Sequence, residues 1–201
     1  MSDKPQWLIR EDASVPVLVA LALRQSLGIR VPADLPSLRD LPVRAPDAVD
    51  ASPELERQWR EYWDMTVEPR AHRSDVPLEL VDGFETLVAL PASGAEELRA
   101  AITPLAASAV EYAHTAHDRY VASISSHTGG DSYRAYASAI AEFEREIGRR
   151  AHSFELNVQV LPFSQRGIWW VGALSVAVTD GLRRDVVAFD AAIRPVIGEL
   201  A

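Results

Sequence analysis

Cysteine is absent from the 201 residues. Disulfides, thiolate metal sites and cysteine nucleophiles go with it, and a chain without them suits the cytoplasm, where we place it. Lysine is nearly absent too: Lys4 is the only one, the other basic residues being arginines. With the plentiful alanine, this reads as the coding bias of a GC-rich bacterial genome and carries no functional meaning. Positive charge is scarce overall, 20 Lys and Arg against 29 Asp and Glu for a net charge of -9, so attraction to nucleic acid or to an anionic membrane is not expected. Long apolar runs are missing as well. Val15 to Leu23 is well short of the roughly 20 residues that cross a bilayer. Asp3, Glu11 and Asp12 outnumber Lys4 and Arg10, which is not the basic start of a secretory signal.

Recognisable catalytic motifs are also lacking. There is no Gly-x-Ser-x-Gly elbow, no Gly-x-x-x-x-Gly-Lys loop and no Gly-x-Gly-x-x-Gly turn. Gly129-Gly130 is too short to cradle phosphate and reads as a turn between helices. The sequence leans away from an enzyme, and no cofactor is expected.

What is present is an ordinary globular composition, 48% hydrophobic and 24% charged, with patterns of both periods. We expect an α+β fold, mostly helical, in one domain with a proline-rich, linker-like segment at 31–52. The plainest stretch is Phe154 to Leu200. Phe154, Leu156, Val158 and Val160 alternate with Glu155, Asn157 and Gln159, the period of a half-buried strand. Ile168 to Thr179 reads as a second strand, with Gln165-Arg166-Gly167 as a three-residue hairpin loop whose glycine takes the left-handed position. That register sets Phe163 opposite Trp169, Leu156 opposite Val176 and Val158 opposite Leu174. A helix follows, with Val186, Phe189, Ile193, Val196, Ile197 and Leu200 on one face.

Upstream, Gln6 to Arg10 fits a short strand or a leader. Val15 to Leu27 fits a helix apolar almost all round, with Ser14 as cap and Gly28 as stop. Ser52-Pro53-Glu54 opens a second helix whose Leu55, Trp59, Tyr62 and Trp63 share a face and belong to the core. Val76 to Leu90 satisfies helical spacing through Leu80, Phe84, Leu87 and Val88, although Asp82-Gly83 would also make a hairpin turn; we take helix. Ser93 and Glu96 form a capping box ahead of a stripe from Leu98 to Tyr120, kinked at Pro104. A partner helix carrying Tyr133, Tyr136, Ile140, Phe143 and Ile147 completes an antiparallel αα-hairpin. This hairpin and the first helix should cover one face of the C-terminal β-hairpin.

Three sets of residues are candidates for chemistry. Glu111, His114 and His117 are neighbours on a helix and could offer a carboxylate and two imidazoles to a metal. His114, however, points opposite Ala109, Tyr112 and Ala116, so we expect a solvated face and no metal. Arg183 and Arg184 lie at the entry to the last helix. Either Asp185 caps that helix with both arginines in an exposed loop, or the helix starts at Thr179 or Asp180 and an anion or carboxylate is held there by amide groups and Arg183 or Arg184. The third set is Leu161, Phe163, Trp169 and Val171, gathered near the expected hairpin tip. Its own N-terminal segment would cover it, or a second copy or another protein would do so with Trp169 as anchor. The leading functional expectation is a non-catalytic, acidic protein-interaction or accessory protein. The alternatives are a small-ligand or anion-binding protein and a metal-dependent enzyme using the His-bearing helix.

Overall fold

The computed structural model describes residues 6–42, 51–125 and 131–201, with the side chains of 131 and 132 excepted. The chain is α+β. In order it forms β1 (Trp7–Asp12), α1 (Val15–Leu27), α2 (Pro53–Val67), β2 (Leu78–Leu80), β3 (Ala89–Pro91), α3 (Glu96–Ile102) and a 3-10 turn (Thr103–Leu105). Then come α4 (Ala106–Ser125), α5 (Asp131–Ile147), β4 (Phe154–Leu161), β5 (Ile168–Gly172), β6 (Ser175–Thr179), α6 (Asp180–Arg183) and α7 (Val186–Leu200). Two compact units result. One comprises 1–12 and 120–201, the other 13–119.

The first unit is built on a four-stranded sheet in the order β1-β4-β6-β5. The hairpin expected between Phe154 and Thr179 does not form. Ile168 to Thr179 is two strands, because the chain turns at Ala173-Leu174, where the Leu174 carbonyl accepts from the Asn157 backbone N–H at 2.8 Å. β4 pairs with β6 in parallel, Val158 beside Val176 and Gln159 beside Ala177, while β5 pairs antiparallel with β6 on the outside. The hairpin ahead of the last helices is therefore β5-β6. β1 lies parallel to β4 at the other edge, Trp7 beside Phe154 and Ile9 beside Leu156.

Gly167 does not have the left-handed backbone assigned to it, since it is not among the residues of positive φ. Its lack of a side chain serves Trp169: a Cβ there would stand 2.8 Å from the indole ring. The loop is tied to the end of β6 instead, where Thr179 N–H donates to the Gly167 carbonyl and the Thr179 hydroxyl to the Gln165 carbonyl at 2.5 Å.

Alternation along β4 sends Phe154, Leu156, Val158 and Val160 into a core shared with Val176 and Val178 of β6, Ala135, Tyr136, Ala139 and Ile140 of α5, and Phe189, Ile193, Val196 and Ile197 of α7. Burying each large side chain of this set is worth roughly 1.5–3 kcal/mol. α5 packs on α7, a contact outside the expected αα-hairpin. Of the turn expected from Ser125 to Asp131, residues 126–130 lie outside the described residues.

In the second unit α1 has the bounds read from its sequence, with Gly28 in the left-handed conformation at its end. Ser14 is its N-cap by position without a side-chain capping bond. Val17 to Arg24 are buried without interruption. Arg24 ends the run by donating to the carbonyls of Val31 (2.9 Å) and Pro32 (2.7 Å), and burial lowers its pKa against the opposing pull of Asp34. Gln25 accepts from Leu38 N–H at 2.8 Å and donates to the carbonyls of Leu38 and Leu41. Residues 31–42 of the proline-rich segment are thus fastened to α1, with Leu35 and Leu38 buried. Residues 43–50 lie outside the described residues.

α2 begins as expected, the Ser52 hydroxyl accepting from Leu55 N–H, and its stripe is core: Trp59 and Trp63 stack at 5.5 Å, and Trp59 Nε1–H donates to the Ala20 carbonyl. The helix expected over Val76–Leu90 is instead the pair β2-β3 around an eight-residue loop. Gly83 at φ 84° and Glu85 at φ 56° turn the chain in ways no helix allows. A Cβ on Gly83 would stand 2.9 Å from that of Ala106, so glycine is required there twice over. The capping box fails as well. Ala95 is the N-cap of α3, and the Glu96 carboxylate accepts from Gly94 N–H. At Pro104, where a kink was expected, the 3-10 turn joins α3 to α4 with helical backbone on both sides.

Candidate functional site

β1 alternates like any edge strand, with Trp7, Ile9 and Glu11 on one face. Ile9 joins the core of the first unit, and Glu11 therefore reaches the same side. Its Oε2 accepts from Arg183 Nε and from the Tyr136 hydroxyl, both at 2.6 Å. The Arg183 guanidinium carbon lies 4.4 Å from the centre of the Phe189 ring, and Tyr136 meets Phe189 edge-on at 5.4 Å. The two charged side chains keep only 9% and 13% of their exposure. Burial, then the Glu11 charge, pushes the Tyr136 hydroxyl pKa up, so it stays a donor at any physiological pH; burial does the same to Tyr120, with Glu11 and Asp12 adding to it.

Arg183 is thus not in an exposed loop. α6 is one turn following β6, and it carries Leu182 and Arg183 inward. Asp185 does cap α7, accepting from Ala188 N–H, and Arg184 is exposed and pairs with Asp180 at 3.3 Å. The arginines do not act together, and Arg183 serves Glu11. Two adjacent arginines cannot be told apart by periodicity, but a carboxylate two residues from Ile9 on the core-facing side of a strand was a signal that something cationic must meet it.

Leu161 and Phe163 are fully buried, and Trp169 is partly so, its ring edge-on to Phe163 at 5.3 Å. Phe163 and Trp169 therefore do meet, although by a loop contact and not by the hairpin register. On α4, Glu111 and His114 are exposed. His114 Nε2 lies 3.8 Å from a Glu85 oxygen, while His117 Nδ1 lies 2.8 Å from the Ala13 carbonyl, which fixes the proton on that nitrogen. The three do not share a centre. Among the described residues no three His, Cys, Asp or Glu side chains converge on one point.

No protein-family model, curated protein or solved structure matches the chain. Among the described residues no helix is long and apolar enough to cross a membrane.

The site that periodicity missed is β2. Leu78 and Leu80 keep 51% and 56% of their exposure, one residue apart on the same face of a hydrogen-bonded strand. Glu79 between them is exposed too, with Arg99 Nη2 3.7 Å from its carboxylate. In a helix these leucines would have lain on different faces, which is why the helical reading hid them.

Proposed function

We propose that the chain is a non-catalytic protein-interaction protein. The observation that carries this reading is the pair Leu78 and Leu80, two large apolar side chains held in water on one ordered strand. Single exposed leucines are common, but a pair on one face of a strand at the end of a sheet is the kind of surface a partner covers. Glu11, Arg183 and Tyr136 hydrogen-bond to one another in a part-buried cluster, which supports a structural role for them and not a catalytic one. The net charge of -9 turns the surface away from nucleic acid and towards neutral or basic proteins.

The test is the size of the native protein in extract of its source cells, after mild chemical cross-linking and size separation. The proposal predicts that it travels with a second protein in fixed ratio, well above the 22.1 kDa of the chain. Elution throughout as a free chain would refute it.

A further inference from the structure

We infer that the outer edge of β2 is a docking strand for an extended, cationic segment of a partner protein, which adds to the sheet beside Leu78–Leu80. The inference rests on the interaction reading above and deepens it. The hydrogen bonds of the β2-β3 pair fix which backbone groups are used. Ala92 N–H donates to the Pro77 carbonyl and Val81 N–H to the Val88 carbonyl, with Glu79 opposite Leu90 between them. In an antiparallel ladder the bonded residues alternate, so 77, 79 and 81 turn towards β3. Leu78 and Leu80 turn the other way. Their N–H and C=O groups point out from the sheet, which among the described residues has only β2 and β3 in it.

Outward backbone groups and exposed apolar side chains therefore fall on the same two residues. This is what strand addition uses: main-chain bonds supply affinity, and side chains on alternate positions supply fit. Sheet edges that must stay unpaired are commonly guarded by charge, and β1 shows that pattern with Arg10, Glu11 and Asp12 along it. β2 has leucines at both outward positions.

Charge decides between occupants. Residues 75–91 contain Asp75, Glu79, Asp82 and Glu85 and no Lys, Arg or His. A second copy laid antiparallel, Leu78 against Leu80, would put Glu79, whose exposed carboxylate Arg99 approaches only to 3.7 Å, directly across from its own counterpart, and like charges directly opposite destabilise a strand pair. A segment with Lys or Arg opposite Glu79 and apolar residues beside the leucines relieves that conflict. Its binding should weaken with salt, because these carboxylates are in water.

The experiment titrates the full chain with a seven-residue peptide alternating lysine and valine, and separately with one alternating glutamate and valine. Amide hydrogen exchange is followed by NMR. Expected are binding of the lysine peptide at least tenfold tighter than the glutamate peptide, protection of the Leu78 and Leu80 amides on binding, and a tenfold or greater loss on Leu80→Pro. That substitution removes an outward donor and leaves the β2-β3 bonds intact. A double variant, Leu78→Thr with Leu80→Thr, keeps the backbone and removes the apolar pair, and should also weaken binding. Binding of neither peptide at millimolar concentration, equal binding of both, or indifference to both variants would overturn the inference. So would concentration-dependent protection of Leu78 and Leu80 without peptide, which assigns the edge to a second copy. If the native protein still forms a complex in extract, docking at β2 fails alone; if no complex exists, the interaction reading fails with it.

Discussion

Glu11 and Arg183 stand 172 positions apart, and the Glu11 carboxylate accepts a 2.6 Å hydrogen bond from Arg183 Nε at the rim of an apolar core. That bond links the first strand of the first unit to the helical turn after its last. Removing one partner of such a pair leaves an uncompensated charge out of water, at a cost of roughly 3–5 kcal/mol, whereas replacing both by apolar groups can be nearly neutral. Arg183→Met and Glu11→Leu should each destabilise by about that amount in urea unfolding, and the double variant by clearly less than their sum. Additive losses under about 1 kcal/mol each would place the pair with exposed ion pairs instead.

Asp185 gives a pH dependence with a definite sign. Arg166, and after it the N–H of Ala188, hold its carboxyl below the usual aspartate range. A folded-state pKa below the unfolded one stabilises fully above the unfolded value, ~3.9, and that stability is lost as pH falls through the folded value. Asp185→Asn retains a capping oxygen without the titration. Melting temperature measured from pH 6 to pH 2 should therefore fall more steeply for the parent than for Asp185→Asn below about pH 4. Parallel curves would remove Asp185 from the account.

Two glycines in one segment should respond in opposite directions. Gly167→Ala drives a methyl to within 2.8 Å of the Trp169 indole and should cost roughly 1–3 kcal/mol with a change in tryptophan fluorescence. A Cβ added at Gly181 in α6 would meet nothing within 4 Å, so Gly181→Ala should be neutral or stabilising by roughly 0.5–1 kcal/mol. Pairing Gly167→Ala with Trp169→Leu should recover part of the loss. Failure to recover would mean that Gly167 is needed for its backbone alone.

Local signals were legible where they were strong. The ends of α1, the Ser52 cap, the Trp59 and Trp63 stripe and the Phe189, Ile193, Val196 and Ile197 face of α7 follow from periods and stop residues that act within one turn, whereas Val186, expected on that face, stays exposed. Strand partners were not, because parallel pairing of β4 with β6 depends on a turn at Ala173-Leu174 without the usual turn residues. Gly172 and a run of twelve apolar-rich residues, long against the usual five or six of a strand, were the available hints. β2 was hidden for a different reason. Leu80, Phe84, Leu87 and Val88 satisfy helical spacing by coincidence, and only the positive φ of Gly83 and Glu85 excludes it. The Glu11–Arg183 pair was hidden with the strand partners, since the arginine is aimed by the turn after β6 and the glutamate by the pairing of β1 with β4.

Gln25 should control the order of residues 38–42. Gln25→Leu deletes the bond received from Leu38 N–H and those given to the carbonyls of Leu38 and Leu41. Each such bond is worth about 1 kcal/mol, so Leu38 amide exchange should accelerate roughly five- to tenfold and proteolysis after residue 38 should quicken. Unchanged exchange at Leu38 would show that burial alone holds this strap.

The most direct test of the interaction account is photo-cross-linking inside the source cells, with a photoreactive amino acid placed at Leu80 and, as a control, at the exposed Glu111 of α4. Expected is a single covalent adduct of discrete mass from position 80, containing a second protein joined through a Lys- or Arg-rich segment, and no such adduct from position 111. Absence of an adduct at position 80, or the same mixture from both positions, would contradict it.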